Sequence, residues 1–248
     1  MAVSEWPPIV VLIVTYRRLA LALATVRSIK EKLVYPNYGF HIADDGSGQE
    51  YIERLLQEIG PTYGVTISDA GRGGVGKSMN MGIAACLSRA DYWLHLEDDW
   101  VLPTPLNLGP CVKLLDTDQT VGMVRLGRYS EGVKATTRGV VGQAWWHLEK
   151  GSGFFVFSGN PSLRHRRFHQ AYGNYAEGLK PGETEVSYCW RFNTTPGPGI
   201  VWPAFMSDAD AFHHIGDHQS FKWYMERDGK SGEEAAAIFE AMDKGLSA

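Results

Sequence analysis

The chain has 248 residues, 44% of them hydrophobic and 21% charged, with a net charge of −4 and a sequence pI near 6.1. That length suits one large domain with a substantial interior. The acidic balance excludes a global pull toward nucleic acid or anionic membrane and leaves only a local basic face open. Three widely spaced cysteines, Cys86, Cys111 and Cys189, make neither a metal-type pair nor a disulfide framework, which implies a reducing, cytoplasmic setting.

The first element is "IVVLIVTY" over 9–16, a continuous apolar, β-branched run after two prolines. It is too short to span a bilayer and reads as a strand covered on both faces. Leu19, Leu23, Val26, Ile29 and Leu33 then recur at helical spacing. "GFHIADDGSG" predicts a strand ending in two aspartates and a turn, "EYIERLLQEI" a second helix, and "GVTIS" a third strand. Ser78 is placed to cap a helix carrying Met79, Ile83, Cys86 and Leu87. "DYWLHL" predicts a fourth strand, running into Glu97-Asp98-Asp99. This alternation argues for an open, mainly parallel α/β sheet, which binds ligands beyond the carboxyl ends of its strands.

After Pro103 the pattern loosens. "LGPCVKLLD" reads as a helix, "VGMVRLGRY" as a strand, and "GVKATTRGVVGQAWWHLEKGSG" as a Gly-, Thr- and Trp-rich segment to which no element is assigned. "FFVFSGN" reads as a strand, residues 163–172 and 183–192 as helices, "GIVWPAF" as a late strand, and "GEEAAAIFEAM" as a helical tail.

Residues 71–78, "GRGGVGKS", satisfy G-x-x-x-x-G-K-S/T, the phosphate-cradling loop of NTPases. A true phosphate loop follows a strongly apolar strand. Here "VTISDA" precedes it, and the best buried strand ends instead in "TYRR" with no glycine loop. The sequence therefore reads this match as accidental.

A second set of residues fits together in order. "VVLIVTYRR", "IADDGSG", "GRGGVGKSMNMGI" and "YWLHLEDDW" resemble the nucleotide-sugar-binding half of GT-A glycosyltransferases, most closely the family 2 type. In those enzymes one strand ends in T-Y-x-R, another in D-D-G-S, and a segment ending N-x-G leads to a D-x-D-like acidic strand end. The likeness continues through "SGNPSLRH", "ETEVSYCWRF" and "HHIGDHQS". It implies a Rossmann-like α/β domain over 1–248. The nucleotide-sugar half would be 1–103, the acceptor and catalytic half 104–230, and a C-terminal helix 231–248.

The resemblance implies a role for each matching residue. Asp99 would ligate Mn²⁺ or Mg²⁺, Glu97 would reach the ribose or a metal-bound water, and Asp98 would lie with them on the donor. Asp44 would accept a hydrogen bond from the base, which favours a UDP-linked donor, and Asp45 would take a ribose or structural role. Thr15, Tyr16 and Arg17 would flank the nucleotide, with Lys77 and Asn80 close to it. Glu185 would be the general base of an inverting transfer, with Glu183 as the near alternative. His214, before Ile215-Gly216, would reach the metal or pyrophosphate, and an imidazole ligand would favour Mn²⁺. The chemistry agrees, because breaking the anomeric bond loads negative charge on the diphosphate and a divalent cation neutralises it. Carboxylate oxygens are the ligands such a cation prefers.

The transferred group would be a hexose or an N-acetylhexosamine. The acceptor could be a saccharide, a protein or a hydroxymethylated base in phage-type DNA. For a nucleic acid, Arg164, Arg166 and Arg167 within "LRHRRFHQAYGNY" supply a basic-aromatic cluster, which could equally be a solvated helix face. Trp145, Trp146, Trp190, Trp202 and Trp223 could stack on sugars or fill a core. Two rivals remain: a phosphate-loop NTPase dependent on Lys77, and a non-catalytic nucleotide-sugar-binding protein indifferent to Glu183 and Glu185.

Overall fold

The computed structural model describes residues 6–127, 132–140, 142–180, 182–204 and 211–216. The elements of the first half are β1 (Ile9–Thr15), α1 (Leu19–Lys32), β2 (Leu33–Val34), β3 (Tyr38–Asp44), α2 (Gln49–Ile59), β4 (Val65–Asp69), α3 (Val75–Leu87) and β5 (Tyr92–Glu97). Then come β6 (Trp100–Val101), β7 (Leu106–Asn107), α4 (Gly109–Thr117), β8 (Val121–Arg125), β9 (Ala135–Val140) and β10 (Gln143–Leu148). The last are β11 (Ser162–His165), α5 (Arg166–Tyr172), α6 (Glu183–Thr194), β12 (Gly199–Pro203) and β13 (His213–His214). The expected C-terminal helix, His218 and Trp223 lie outside the described residues.

Among the described residues nine strands form one sheet in the order β4-β3-β1-β5-β11-β8-β12-β10-β9. β4, β3, β1 and β5 are parallel, as the βα alternation predicts, and β11 runs antiparallel to both β5 and β8. Every residue of β1 is buried. Ile9, Val11 and Ile13 face one core, covered by α1, α2 and α4, and Val10, Leu12 and Val14 face the other, covered by α3, α5 and α6. A strand buried on both faces shows no polar alternation, which is why this segment reads as a solid apolar run. Among the described residues no helix is long and apolar enough to cross a membrane. The three cysteines are buried free thiols.

Three expectations need correction, and one unassigned segment gains an element. Helix α3 begins at Val75 with Gly74 at its N-cap, so Ser78 lies inside the helix. The Trp-rich segment forms the antiparallel hairpin β9–β10. "SLRH" is strand β11 rather than the start of a helix; its Arg164 is buried, and hydrogen bonds to Ser162 Oγ (2.9 Å) and the Tyr175 hydroxyl (2.8 Å) permit that burial. "FFVFSGN" is not a strand: residues 154–156 make a single 3-10 turn, and the segment lies along α6.

His41 on β3 is buried between the hydroxyls of Thr66 (2.8 Å) and Ser68 (3.0 Å) on β4. Burial, with Arg89 nearby, pushes its pKa down to about 4. Between about 6.5 and 4 the unfolded chain therefore binds a proton that the folded chain refuses, and stability falls as pH drops through that window. This term is at most about 3 kcal/mol. Urea unfolding from pH 7 to 4.5 should give a shallower pH slope for His41→Gln than for the wild type; equal slopes would reject the assignment.

Candidate active site

The chain leaves β1 for β3 and β4 on one side and returns to β5 on the other, so the strand order reverses between β1 and β5. In open α/β sheets that reversal opens a crevice beyond the carboxyl ends of the strands. A cavity of about 500 Å³ lies there, lined by Thr15, Tyr16 and Arg18 after β1, Glu97 and Asp99 after β5, and Asp45 after β3. Arg72, Gly74 and Ser78 close one wall, and Leu179, Gly182 and His214 belong to the opposite half of the chain.

The three consecutive acids separate by side, as alternate residues leaving a strand must. Asp98 does not line the cavity. Its carboxylate accepts from the Thr15 hydroxyl (2.7 Å), the Tyr16 amide (3.4 Å) and the Arg18 guanidinium. Asp98 thus ties the end of β1 to the end of β5, and the expected donor contact becomes a scaffold role. Asp99 faces the cavity. Its Oδ2 accepts from Arg18 (2.6 Å) and lies 3.3 Å from His214 Nε2, while its buried Oδ1 has no hydrogen-bond partner among the described residues. Although burial works the other way, the His214 and Arg18 contacts hold Asp99 below the usual carboxylate range. Burial, then the neighbouring Asp99, pushes Glu97 up to about 8.

His214 arrives through local pairing. β13 runs antiparallel to β6 with His214 opposite Trp100, and the two rings lie 4.7 Å apart. The Ile215 amide donates to the Asp99 carbonyl (2.8 Å). A Cβ on Gly216 would collide with Asp99 Oδ2, so the glycine after His-Ile is required by the close approach of the two segments.

Arg18 was missed by the sequence reading, which favoured Arg17. Arg17 adopts φ 57°, donates its amide to Ser47 Oγ (2.8 Å) and holds its guanidinium 5.2 Å from the Tyr16 ring. That left-handed turn directs Arg18 to the acids. The signal was present, because the arginine of T-Y-x-R falls on Arg18.

The aspartate pair also resolves in the opposite sense to the expectation. Asp44 accepts from the amides of Gly46 (3.1 Å) and Ser47 (2.7 Å) and from the Ser47 hydroxyl (2.5 Å), and closes its own turn. Asp45 lines the cavity and accepts from the Gly74 amide (3.0 Å) at the start of α3. Arg72, at φ 62°, donates its amide to the Asp45 carbonyl (2.9 Å). Such left-handed non-glycine residues cost of order 1 kcal/mol or more and cluster at functional sites.

Neither Lys77 nor Asn80 lines the cavity. Lys77 is exposed and turns back to the Ala70 carbonyl (3.1 Å). Asn80 grips the Tyr175 backbone in both directions, accepting from its amide (2.8 Å) and donating to its carbonyl (3.0 Å). Within "GVGKS", Gly74 supplies φ 85° at the helix N-cap, and a Cβ on Gly76 would strike the Ala176 carbonyl. Turn geometry and close packing account for these two glycines without a phosphate.

Glu185 and Glu183 separate clearly. Glu183 is exposed and its Oε2 accepts from the Lys180 amide (3.0 Å) outside the site. Glu185, one helical turn past the cavity-lining Gly182, accepts from the Gly159 amide (2.7 Å) through Oε1. A Cβ on Gly159 would lie 3.5 Å from Glu185 Oε1 and 3.6 Å from Glu97 Oε1, so the two carboxylates share one neighbourhood. In the basic cluster, Arg164 is buried, Arg166 binds Asp91 and the Leu87 carbonyl, and Arg167 binds the Val121 and Leu115 carbonyls. Arg164 is thus turned into the fold, while Arg166 and Arg167 are half-buried and tied to backbone carbonyls.

Among the described residues no group of three His, Cys, Asp or Glu side chains is arranged to hold a metal by itself. Asp99 and His214 nevertheless fit a divalent cation completed by ligand oxygens. Glu97, Asp98 and Asp99 gather around Arg18, Glu185 lies beside Glu97, and a buried carboxylate oxygen without a partner among the described residues is a costly feature that a cation would relieve.

Solved structures share this architecture. GalNAc-T7, in a crystal structure with UDP, GalNAc and Mn²⁺, has TM-score 0.60 at 15% identity, over 81% of this chain and 43% of that one. TarS 1-349 from S. aureus, in complex with UDP-GlcNAc, has TM-score 0.59 at 11% identity, over 79% and 58%. The mannosyltransferase PcManGT from Pyrobaculum calidifontis, in complex with GDP-Man and Mn²⁺, has TM-score 0.52 at 14% identity, over 99% and 77%. The chain thus spans less than two thirds of the GalNAc-T7 and TarS chains, and at these identities the likeness concerns fold. No curated protein sequence matches the chain. The family model described as Glycosyl transferase family 2 matches residues 10–174, which carry all of β1 but its first residue, every element on through α5, and the cavity-lining acids Asp45, Glu97 and Asp99. With more than half of its length matched in this way, the chain belongs to glycosyl transferase family 2.

Proposed function

We propose that the chain is a metal-dependent, inverting glycosyltransferase that moves a hexose or N-acetylhexosamine from a UDP-sugar, or another nucleoside-diphosphate sugar, to an acceptor hydroxyl. The observation that carries this reading is the cluster of acids around Arg18 at the strand-order reversal, with Asp99 Oδ1 buried and without a partner among the described residues. Structures of similar fold hold UDP or GDP-Man together with Mn²⁺, which supports the same donor class here.

Asp99 and His214 would hold Mn²⁺ or Mg²⁺, which supplies neutralisation of the diphosphate leaving group. Asp45, Arg72 and Tyr16 form the wall for the nucleoside. Arg18 keeps Asp99 in place and adds positive charge near the diphosphate. Glu185 takes the proton of the attacking hydroxyl as the acceptor oxygen bonds to the anomeric carbon and the diphosphate departs from its opposite face. An acceptor on the Glu185 side and a leaving group on the Asp99 side favour inversion.

Thermal unfolding with UDP, GDP, UDP-glucose, UDP-N-acetylglucosamine, GDP-mannose, ATP and GTP, with and without Mn²⁺, tests the reading. A ligand that binds only the native state raises the midpoint. Stabilisation by a sugar nucleotide or its diphosphate, dependent on Mn²⁺ and retained by Lys77→Ala, is the expected result. Stabilisation by ATP or GTP alone, abolished by Lys77→Ala, would overturn it in favour of a phosphate-loop NTPase.

A further inference from the structure

Residues 153–159 form a strap along α6. Asn193 Nδ2 donates to the Phe154 carbonyl (3.0 Å), Cys189 Sγ to the Phe157 carbonyl (3.3 Å), and the Gly159 amide to Glu185 Oε1 (2.7 Å). The buried Phe157 ring lies 4.6 Å from that of Tyr188. Tyr188 follows Glu185 by three residues, so both belong to one side of the helix. Glu185 is thus held twice: its carboxylate by the strap, its helix through Tyr188.

Both holds lead back to one buried pair. Arg164 on β11 donates to Ser162 Oγ (2.9 Å) and to the Tyr175 hydroxyl (2.8 Å), and its guanidinium carbon lies 5.3 Å from the centre of the Phe157 ring. Its remaining nitrogen is buried with no hydrogen-bond partner among the described residues. A guanidinium buried against a phenol and a ring is costly to desolvate. What it fixes is Tyr175, itself buried, whose ring stacks on Tyr188 with centroids 4.2 Å apart. The Tyr175 backbone is clamped by Asn80, which accepts from its amide (2.8 Å) and donates to its carbonyl (3.0 Å). Asn80 belongs to α3, whose Val75 and Ser78 line the cavity. Tyr175 therefore joins the cavity wall, the sheet and α6 at one point. Glu185 is within electrostatic reach of it: burial raises the Tyr175 phenol above its ordinary range against the pull of Arg164, and the charge of Glu185 adds to the rise.

We propose that Tyr175 is a positioning residue for the base, fixing Glu185 relative to the donor cavity through its hydroxyl on Arg164 and its ring on Tyr188. The assignment rests on Glu185 as the base. A general base acts only within hydrogen-bond reach of the proton it takes, and a displacement of about 1 Å is enough to cost a large part of the rate. Asn80 gains a role in the same arrangement, because it sets α3 against the residue that sets α6.

The test uses water as the acceptor. Release of nucleoside diphosphate from UDP-glucose, UDP-N-acetylglucosamine and GDP-mannose is followed in Mn²⁺; a water oxygen bonds to the anomeric carbon, the bond from that carbon to the diphosphate breaks, and Glu185 takes the water proton. Tyr175→Phe keeps the ring and removes only the hydroxyl. It should lower kcat about tenfold at unchanged KM for the donor. Combined with Glu185→Gln it should cause no further loss, since a residue that acts through Glu185 has nothing left to position. Hydrogen exchange should quicken at residues 157–159 and in the first turns of α6 and stay unchanged elsewhere. Arg164→Lys keeps the charge, shortens the reach to the hydroxyl and repeats the cycle from the other partner, with the same kcat-only loss expected. Tyr172→Phe is the control. It removes a buried hydroxyl that donates to the Pro198 carbonyl (2.7 Å), and kcat should hold.

Unchanged kcat in Tyr175→Phe, a loss that multiplies with that of Glu185→Gln, a rise in KM in place of the fall in kcat, or an equal fall in Tyr172→Phe would each overturn the assignment. Release that Glu185→Gln does not lower would instead remove Glu185 as the base, the reading on which the assignment depends.

Discussion

Asp99→Asn should abolish Mn²⁺-dependent stabilisation by the nucleotide and lower turnover by roughly a thousandfold, the scale of several kcal/mol of charge stabilisation in the transition state. The variant is close to isosteric, so its effect isolates charge. Asn can still accept from Arg18 through its amide oxygen, and Asp98 continues to tie Arg18 and Thr15 to the end of β5. The backbone that places His214, an Ile215 amide on the Asp99 carbonyl, does not involve the side chain. The fold should therefore survive, and circular dichroism and the metal-free melting curve should resemble those of the wild type. Calorimetric titration of Mn²⁺ with and without the nucleotide measures the loss. Unchanged metal dependence would remove Asp99 from the site and leave the unpartnered oxygen unexplained.

Glu185→Gln should lower transfer by about a hundredfold to ten-thousandfold, the usual contribution of a positioned general base, while leaving nucleotide binding intact. Glutamine keeps an oxygen for the Gly159 amide, so the strap along α6 stays in place. A purely structural role would therefore lose little in this variant. Glu183→Gln is the companion measurement. That side chain is exposed and supports only the Lys180 turn, so turnover should be essentially unchanged. If Glu183→Gln is the inactive variant, the base has been misassigned. If neither variant loses transfer, the chain binds a sugar nucleotide without using these acids.

Much of the first half was legible in the chain because burial there follows simple rules. A strand covered on both faces is a solid apolar run, and a helix on a sheet repeats every three to four residues. β1, α1, β3, α2, α3 and β5 fall where those patterns place them, although α3 starts three residues before the expected Ser78 cap. The later half obeys no such pattern. β11 contains a buried arginine, and its polar partners Ser162 and Tyr175 make that burial acceptable only once they are folded around it. The strap at 153–159 is rich in phenylalanine, yet two of its rings face solvent and the segment is held by α6 side chains from elsewhere in the sequence.

The same division runs through the site. The sequence by itself determined which short segments meet there, since the acids and the T-Y-x-R turn sit at ends of parallel strands and such ends converge on one edge of the sheet. Composition and spacing do not say which member of each adjacent pair lines the cavity. Successive side chains leave a strand on opposite sides, so one residue of register exchanges the two roles. The tertiary structure lines the cavity with Asp45 rather than Asp44 and with Arg18 rather than Arg17, and turns Asp99 into it while Asp98 is kept out, all through contacts remote in sequence. Gly74 draws Asp45 toward α3, Thr15 and Arg18 draw Asp98 into the scaffold, and the approach of Gly216 holds Asp99 toward the cavity.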